Sequence, residues 1–294
     1  MPEISRELPD FDALWNYGDP AGTESKFQAI LSDLSPNTSV PYRIELLTQI
    51  ARTQGLQRRF DEAHATLDAA NALMMPDMKR AQIRYQLERG RVLNSSGSPE
   101  DAKIHFVKAW EAAQAAHEDA LAVDAAHMVA IVVPTEDQTE WNEKALKLAE
   151  SSPDPRARRW RGSLYNNIGW TYHEEERFAE ALEIFQKALE LRKEQGGAES
   201  TRIAEWSIGR ALRSLGRIDE ALAIQRAQLA LLTEAGRTDP CVHEELGECL
   251  LQLGNEDEAT PYLALAYDEL VQDPWVVENE TKRLERLKGL IGRE

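Results

Sequence analysis

Between Ser163 and Lys193 the apolar positions fall into two helical sets. Ile168, Gly169 and Tyr172 stand at i, i+1 and i+4. Ala181, Phe185 and Ala188 stand at i, i+4 and i+7. Residues three or four apart share one helix face, so the stretch predicts two amphipathic helices joined by a short polar turn. The small residues let the two helices approach closely, and the Tyr and Phe fill the space above and below. Such a pair keeps an apolar face that only neighbouring pairs can cover.

Neighbours are present. The Ala of the second helix recurs as Ala63, Ala102, Ala181, Ala221 and Ala259, in steps of 39, 79, 40 and 38 residues. The Gly of the first helix recurs as Gly90, Gly169, Gly209 and Gly247, in steps of 79, 40 and 38. Because 79 is twice about 39.5, one degenerate repeat fills the gap. The six pairs lie near 41–76, 80–116, 119–152, 163–196, 201–236 and 239–273. In the third, Gln138 replaces the Ala; it reads either as a locally shorter repeat or as a bend or binding site in mid-array. The expected organisation is an N-terminal cap or half-repeat (1–40), repeats one to three (41–152), a Pro-rich basic linker and candidate hinge (153–161), repeats four to six (162–273) and a C-terminal capping helix (274–294). In the first cap, Thr23 is the expected helix N-cap and Trp15 is expected to pack on the first repeat. In the last, Leu284, Leu287 and Ile291 stand in line.

The small and large residues of these pairs resemble the tetratricopeptide repeat, over roughly residues 41–273. The family's usual period is about 34, so these longer repeats look more like those of kinesin light chains. The resemblance implies an all-α, right-handed α-solenoid of about six helix–turn–helix repeats. It also implies a non-enzymatic protein–protein interaction scaffold, with the first helices lining a concave groove. In the family, counting the first-helix Gly or Ala as position eight, positions two, five, six, nine and twelve face that groove. Position six then holds Gln49, Glu88, Asp124, Asn167, Ser207 and Glu245. Position nine holds Arg52, Arg91, His127, Trp170, Arg210 and Glu248. Asn166 and Trp206 stand at position five; Asn94, His173 and Arg213 stand at position twelve. The expected ligand-binding set is Arg52, Arg91, Asn94, His127, Asn166, Asn167, Trp170, His173, Trp206, Arg210 and Arg213. Arginine forks suit carboxylates and buried tryptophans carry binding energy, so the expected partner is a protein or peptide bearing carboxylate groups. Glu88–Arg91 and Asp124–His127 are also i, i+3 pairs that could satisfy each other on a solvated face. Thr48 and Arg52 stand where the family's dicarboxylate clamp has Lys and Asn, so a co-chaperone role is not expected.

Charge narrows the classes further. A net charge of −17 argues against nucleic acid, whose nonspecific binding depends on basic residues, and against an anionic membrane surface. No run approaches the roughly 20 apolar residues of a membrane span. The opening MPEISRELPDFD lacks the basic and apolar regions of a secretory signal. Cys241 and Cys249 on one helix would lie about 12 Å apart, too far for a disulfide. The expected location is therefore the cytoplasm. There is no GxxxxGK[ST], GxGxxG, GxSxG or HExxH motif, and no histidine spacing suited to a metal, so no enzyme, cofactor or metal site is expected. Asp124, His127 and His173 alone supply no nucleophile. The alternative function is a ligand-gated regulator, in which a small peptide or metabolite enters near His127 and residues 151–159 flex.

Overall fold

The computed structural model describes residues 8–36 and 38–292. It is all-α, with no strand among the described residues, and divides into two compact units, Met1–Arg161 and Gly162–Glu294. The first unit begins with α1 (Phe11–Leu14) and α2 (Pro20–Asp33). Three helix pairs follow: α3 (Val40–Leu56) with α4 (Phe60–Ala72), α5 (Lys79–Ser95) with α6 (Pro99–Ala116), and α7 (Asp119–Val132) with α8 (Thr135–Ser151). A single turn, α9 (Pro155–Arg158), packs on α7 and α8. The second unit holds α10 (Arg161–Glu174) with α11 (Phe178–Gln195), α12 (Ala198–Ser214) with α13 (Ile218–Glu234), and α14 (Pro240–Gln252) with α15 (Glu256–Leu270). It ends in α16 (Pro274–Asn279) and α17 (Thr281–Leu290). Within each unit every pair packs on the next, the stacking of an α-solenoid.

The period in the sequence is a period of close helix contacts. A Cβ on Gly90 would fall 2.5 Å from Phe106 Cε1, and Gly169 meets Phe185 and Gly247 meets Leu263 in the same way. Two pairs depart from this. Asn142 and Gln225 occupy the position of that Phe; both are buried, and among the described residues neither Asn142 Oδ1 nor Gln225 Oε1 has a hydrogen-bond partner. The turns inside five of the six pairs use a left-handed residue, and Val133–Pro134 between α7 and α8 does not. Gly97, Gly216 and Gly254 supply it with φ of 93°, 75° and 77°, while Arg58 and Glu176 adopt it at 61° and 58°.

The helix starts correct one expectation. Pro20 opens α2, where its missing N–H costs nothing, and the Asp19 carboxylate caps it by accepting from Gly22 N at 2.9 Å. Thr23 therefore lies inside the helix rather than at its N-cap. Its buried hydroxyl donates to the Asp19 and Asn16 carbonyls at 3.0 and 3.2 Å. Trp15 packs with Phe11, Phe27, Leu46 and Ile50, and its Nε1 donates to Gln49 Oε1 at 2.9 Å. At the other end Leu287 is fully buried, and Leu284 and Ile291 pack against the same core.

Candidate ligand-binding site

In the first unit α3, α5 and α7 carry a cavity of about 480 Å³. Arg52 of α3 lines it, with Arg80, Arg84, Leu87 and Glu88 of α5 and Ala120, Leu121 and Asp124 of α7. Asp12 and Tyr17 reach it from the N-terminal segment, Glu118 from the turn before α7, and Arg156, Arg159 and Trp160 from around α9. Five arginines thus meet four acids and two aromatic rings. Most of the charges are paired. Arg80 donates to Glu118 at 2.5 Å. Arg84 Nε lies 2.9 Å from Glu45 Oε2, misaligned for a hydrogen bond. Glu88 is 2 % exposed; its Oε1 accepts from Arg91 at 2.6 Å, and its Oε2 has no hydrogen-bond partner among the described residues. Arg159 forms no ion pair among the described residues. The Trp160 ring lies 5.3 Å from that of His127.

The polar residues at position six are mostly interior. Gln49 and Ser207 are fully buried, and Glu88, Asp124 and Glu245 nearly so. Each of the three carboxylates meets an arginine at position nine of the preceding pair. Arg52 lies 3.5 Å from Glu88, Arg91 binds Asp124, and Arg210 lies 3.1 Å from Glu245. The charge pairs therefore run from one helix pair to the next. Burial opposes the charge on Asp124, but Arg91 and Arg52 outweigh it and hold the carboxyl below its ordinary pKa. Burial likewise opposes the charge on Arg91, yet Asp124 and Glu88 raise its pKa. His127 is pushed down, by burial first, with Asp124 opposing and Arg91 adding, which favours a neutral ring at pH 7.

In the second unit Trp170 and Trp206 are half-buried with ring centroids 5.6 Å apart, and Trp206 Nε1 donates to the Cys241 carbonyl at 3.3 Å. Trp170 also contacts Phe185 and His173. His173 Nε2 lies 3.0 Å from Ser214 Oγ, which accepts from Arg210 at 2.8 Å. Burial first, then Arg210 and Arg213, push the His173 pKa down to about 4. Arg213 grips Glu245 with both arms of its fork, at 2.7 and 2.9 Å. Glu244 receives Arg283 and Arg286 of α17, at 2.5 and 2.7 Å.

Of the residues expected from sequence, Arg52, Arg91 and Asn94 meet in a small pocket of about 170 Å³ in the first unit. There His127 adjoins Trp160. Asn166 and Asn167 line a cavity of about 240 Å³ between α10, α11 and α12. Trp170, His173, Trp206, Arg210 and Arg213 form the cluster just described. Sequence reasoning passed over Glu45, Arg84 and Ala120, although they occupy position two of three consecutive repeats, so the register already pointed to them. Arg159 and Trp160 gave no signal, because a turn has no helical period. Among the described residues no group of three or more His, Cys, Asp or Glu could hold a metal ion, and no helix is long and apolar enough to cross a membrane.

Residues 139–194 match the family model described as tetratricopeptide repeat. No curated protein matches the sequence. Among solved structures, a Signal Transduction ATPase with Numerous Domains protein from Pyrococcus horikoshii, with a tetratricopeptide repeat sensor, gives a TM-score of 0.72 at 14% identity. That match covers 90% of this chain, which spans only 42% of the ATPase. The apo form of RapI gives 0.71 at 12% identity, over 97% of this chain and 81% of that one. NprR in complex with its cognate peptide NprX gives 0.57 at 16% identity, over 94% and 81%. At these identities the likeness is one of fold, which many functions share.

Proposed function

We propose that this array of tetratricopeptide repeats is a non-enzymatic recognition protein whose ligand enters the cavity on α3, α5 and α7. The ligand is a short peptide, or the end of a partner chain, that presents both an amine and a carboxylate. The observation that carries this reading is Glu88 Oε2, a buried carboxylate oxygen of a cavity-lining residue with no donor among the described residues. An unsatisfied buried polar group costs about 1–3 kcal/mol, and more when charged. A ligand ammonium would satisfy it. Arg159, without an ion pair among the described residues, offers the opposite charge to a carboxylate, and Tyr17 and Trp160 offer ring faces. The volume falls in the range of small-ligand sites, about 300–1,000 Å³. The peptide complex of NprR supports the class of ligand.

On this reading Arg91, Arg210 and Arg213 serve the stack, since each is held by carboxylates of the chain itself. Arg156, Arg159 and Trp160 come from around α9, so a bound ligand would tie that turn to α5 and α7. The test is calorimetry with unblocked tripeptides beside their N-acetylated and C-amidated forms, on the wild type, Arg159→Glu and Trp160→Ala. Unblocked peptides should bind saturably. Each block, and Arg159→Glu, should weaken binding roughly tenfold, as loss of a charge-assisted hydrogen bond does. Equal binding of free and blocked peptides, or no binding across the panel, rejects the reading.

A further inference from the structure

The second unit contains an arginine set apart from the charge pairs around it. Arg192 stands in the last turn of α11 and is only partly exposed. Among the described residues its guanidinium meets no carboxylate. One arm donates to Ser163 Oγ at 3.0 Å and the other to Gln195 Oε1 at 3.3 Å, both neutral. Its surroundings are otherwise well compensated. The adjacent Lys193 reaches Glu205 at 3.6 Å, and Arg202 holds Glu199 and Asp239 at 2.7 and 2.9 Å. Burial alone lowers the Arg192 pKa, and no acidic group offsets it. In a chain of net charge −17, a half-buried cation with only neutral partners is an unusual choice.

The guanidinium also opens onto a space. It lines the cavity of about 240 Å³ between α10, α11 and α12, beside Ser163, Asn166 and Ser200. Ser163 and Asn166 bring a hydroxyl and an amide donor, the Ser200 hydroxyl donates to the Gly197 carbonyl at 3.0 Å, and no carboxylate lines the space. The guanidinium is seated against bare backbone: a Cβ on Gly162 would fall 2.7 Å from Arg192 Cζ. Any side chain there would push the fork away from the start of α10. A cation placed only to complement the C-terminus of α11 would need neither the cavity nor the bare Cα.

We infer that this cavity is an anion site, in which the Arg192 fork takes a carboxylate or phosphate group and Ser163 and Asn166 donate to it. The site is separate from the cavity of the first unit and stands whether or not that one binds peptide.

The test is an NMR titration of the full chain, following the Arg192 Nε–H and the amides of residues 162–167 and 192–200. Inorganic phosphate and acetate are the probes, with ionic strength held constant by chloride. Saturable shifts confined to these residues, with either probe, are expected. Saturation by phosphate alone assigns the site to a phosphate group, and saturation by acetate alone to a carboxylate. Arg192→Gln should abolish the shifts. Arg192→Lys, which keeps the charge but loses the planar fork, should weaken binding roughly tenfold. Gly162→Ala should weaken it too, with Arg192 still present, and helical circular dichroism shows that each variant is folded. No saturable shift with either probe, or the same shifts in Arg192→Gln, overturns the inference.

Discussion

His173 shows how burial, and after it the arginines beside it, tie one side chain to acid stability. Its folded pKa of about 4 lies below its ordinary 6.5. As pH falls below about 6.5 the unfolded chain takes up a proton that the folded chain refuses, so the stability tied to this residue is intact above that value and is lost on the way down to about 4. His173→Gln should therefore flatten the decline of the urea midpoint between near-neutral and acidic pH. Unchanged slopes in the variant would remove His173 from the acid response. Position six marks how far the sequence was legible at this scale. Its polar residues could be read as inward-facing, because their register repeats. Their burial could not, because the arginine that covers Glu88 or Asp124 belongs to another helix pair, more than 30 residues away. The i, i+3 reading found Glu88 with Arg91 and missed that the same arginine also holds the next pair.

At the level of the element, the turns are the place to gain stability. Arg58 and Glu176 hold the left-handed conformation that glycine supplies elsewhere. That conformation costs an L-residue about 1–2 kcal/mol, of which glycine's greater unfolded freedom takes back roughly 0.5–1. Arg58→Gly and Glu176→Gly should each add about 1 kcal/mol or slightly less, seen as a higher thermal midpoint. A lower midpoint would mean that the side chain makes a contact stronger than the strain it carries. The helix pairs themselves were readable because Ala and Gly must recur wherever two helices touch. The segment 151–159, read as a linker, contains a helical turn that such counting cannot see. Asp154 caps it by accepting from Arg156 N at 2.8 Å, and Ala157 is buried. Four residues are too few to show a period.

Across the whole molecule, stability in stacked repeats is roughly a sum of terms between neighbours, so a local repair should act locally. Gln225 faces Gly209 where Leu263 faces Gly247. Gln225→Leu removes a buried oxygen that has no partner among the described residues, at the loss of a long 3.5 Å bond from Nε2 to the Trp206 carbonyl, and should add roughly 1 kcal/mol. Hydrogen exchange should show the gain in α12 to α14 and leave α3 to α6 unchanged. An equal gain in both would mean that the two units unfold as one. The pairs that link position nine to the next position six also give the chain a polarity. The second helix pair carries an acid and a cation, Glu88 and Arg91, so it has unlike ends and could follow a copy of itself. The α14/α15 pair carries acids at both places, Glu245 and Glu248, and the α17 that follows it brings arginines. Arg286 of α17 meets Glu248, beside the pairs on Glu244. The order of repeats thus has a reading direction and a stop mark: duplicating the second pair in the gene would lengthen the array, while duplicating the last would set acid against acid and end it.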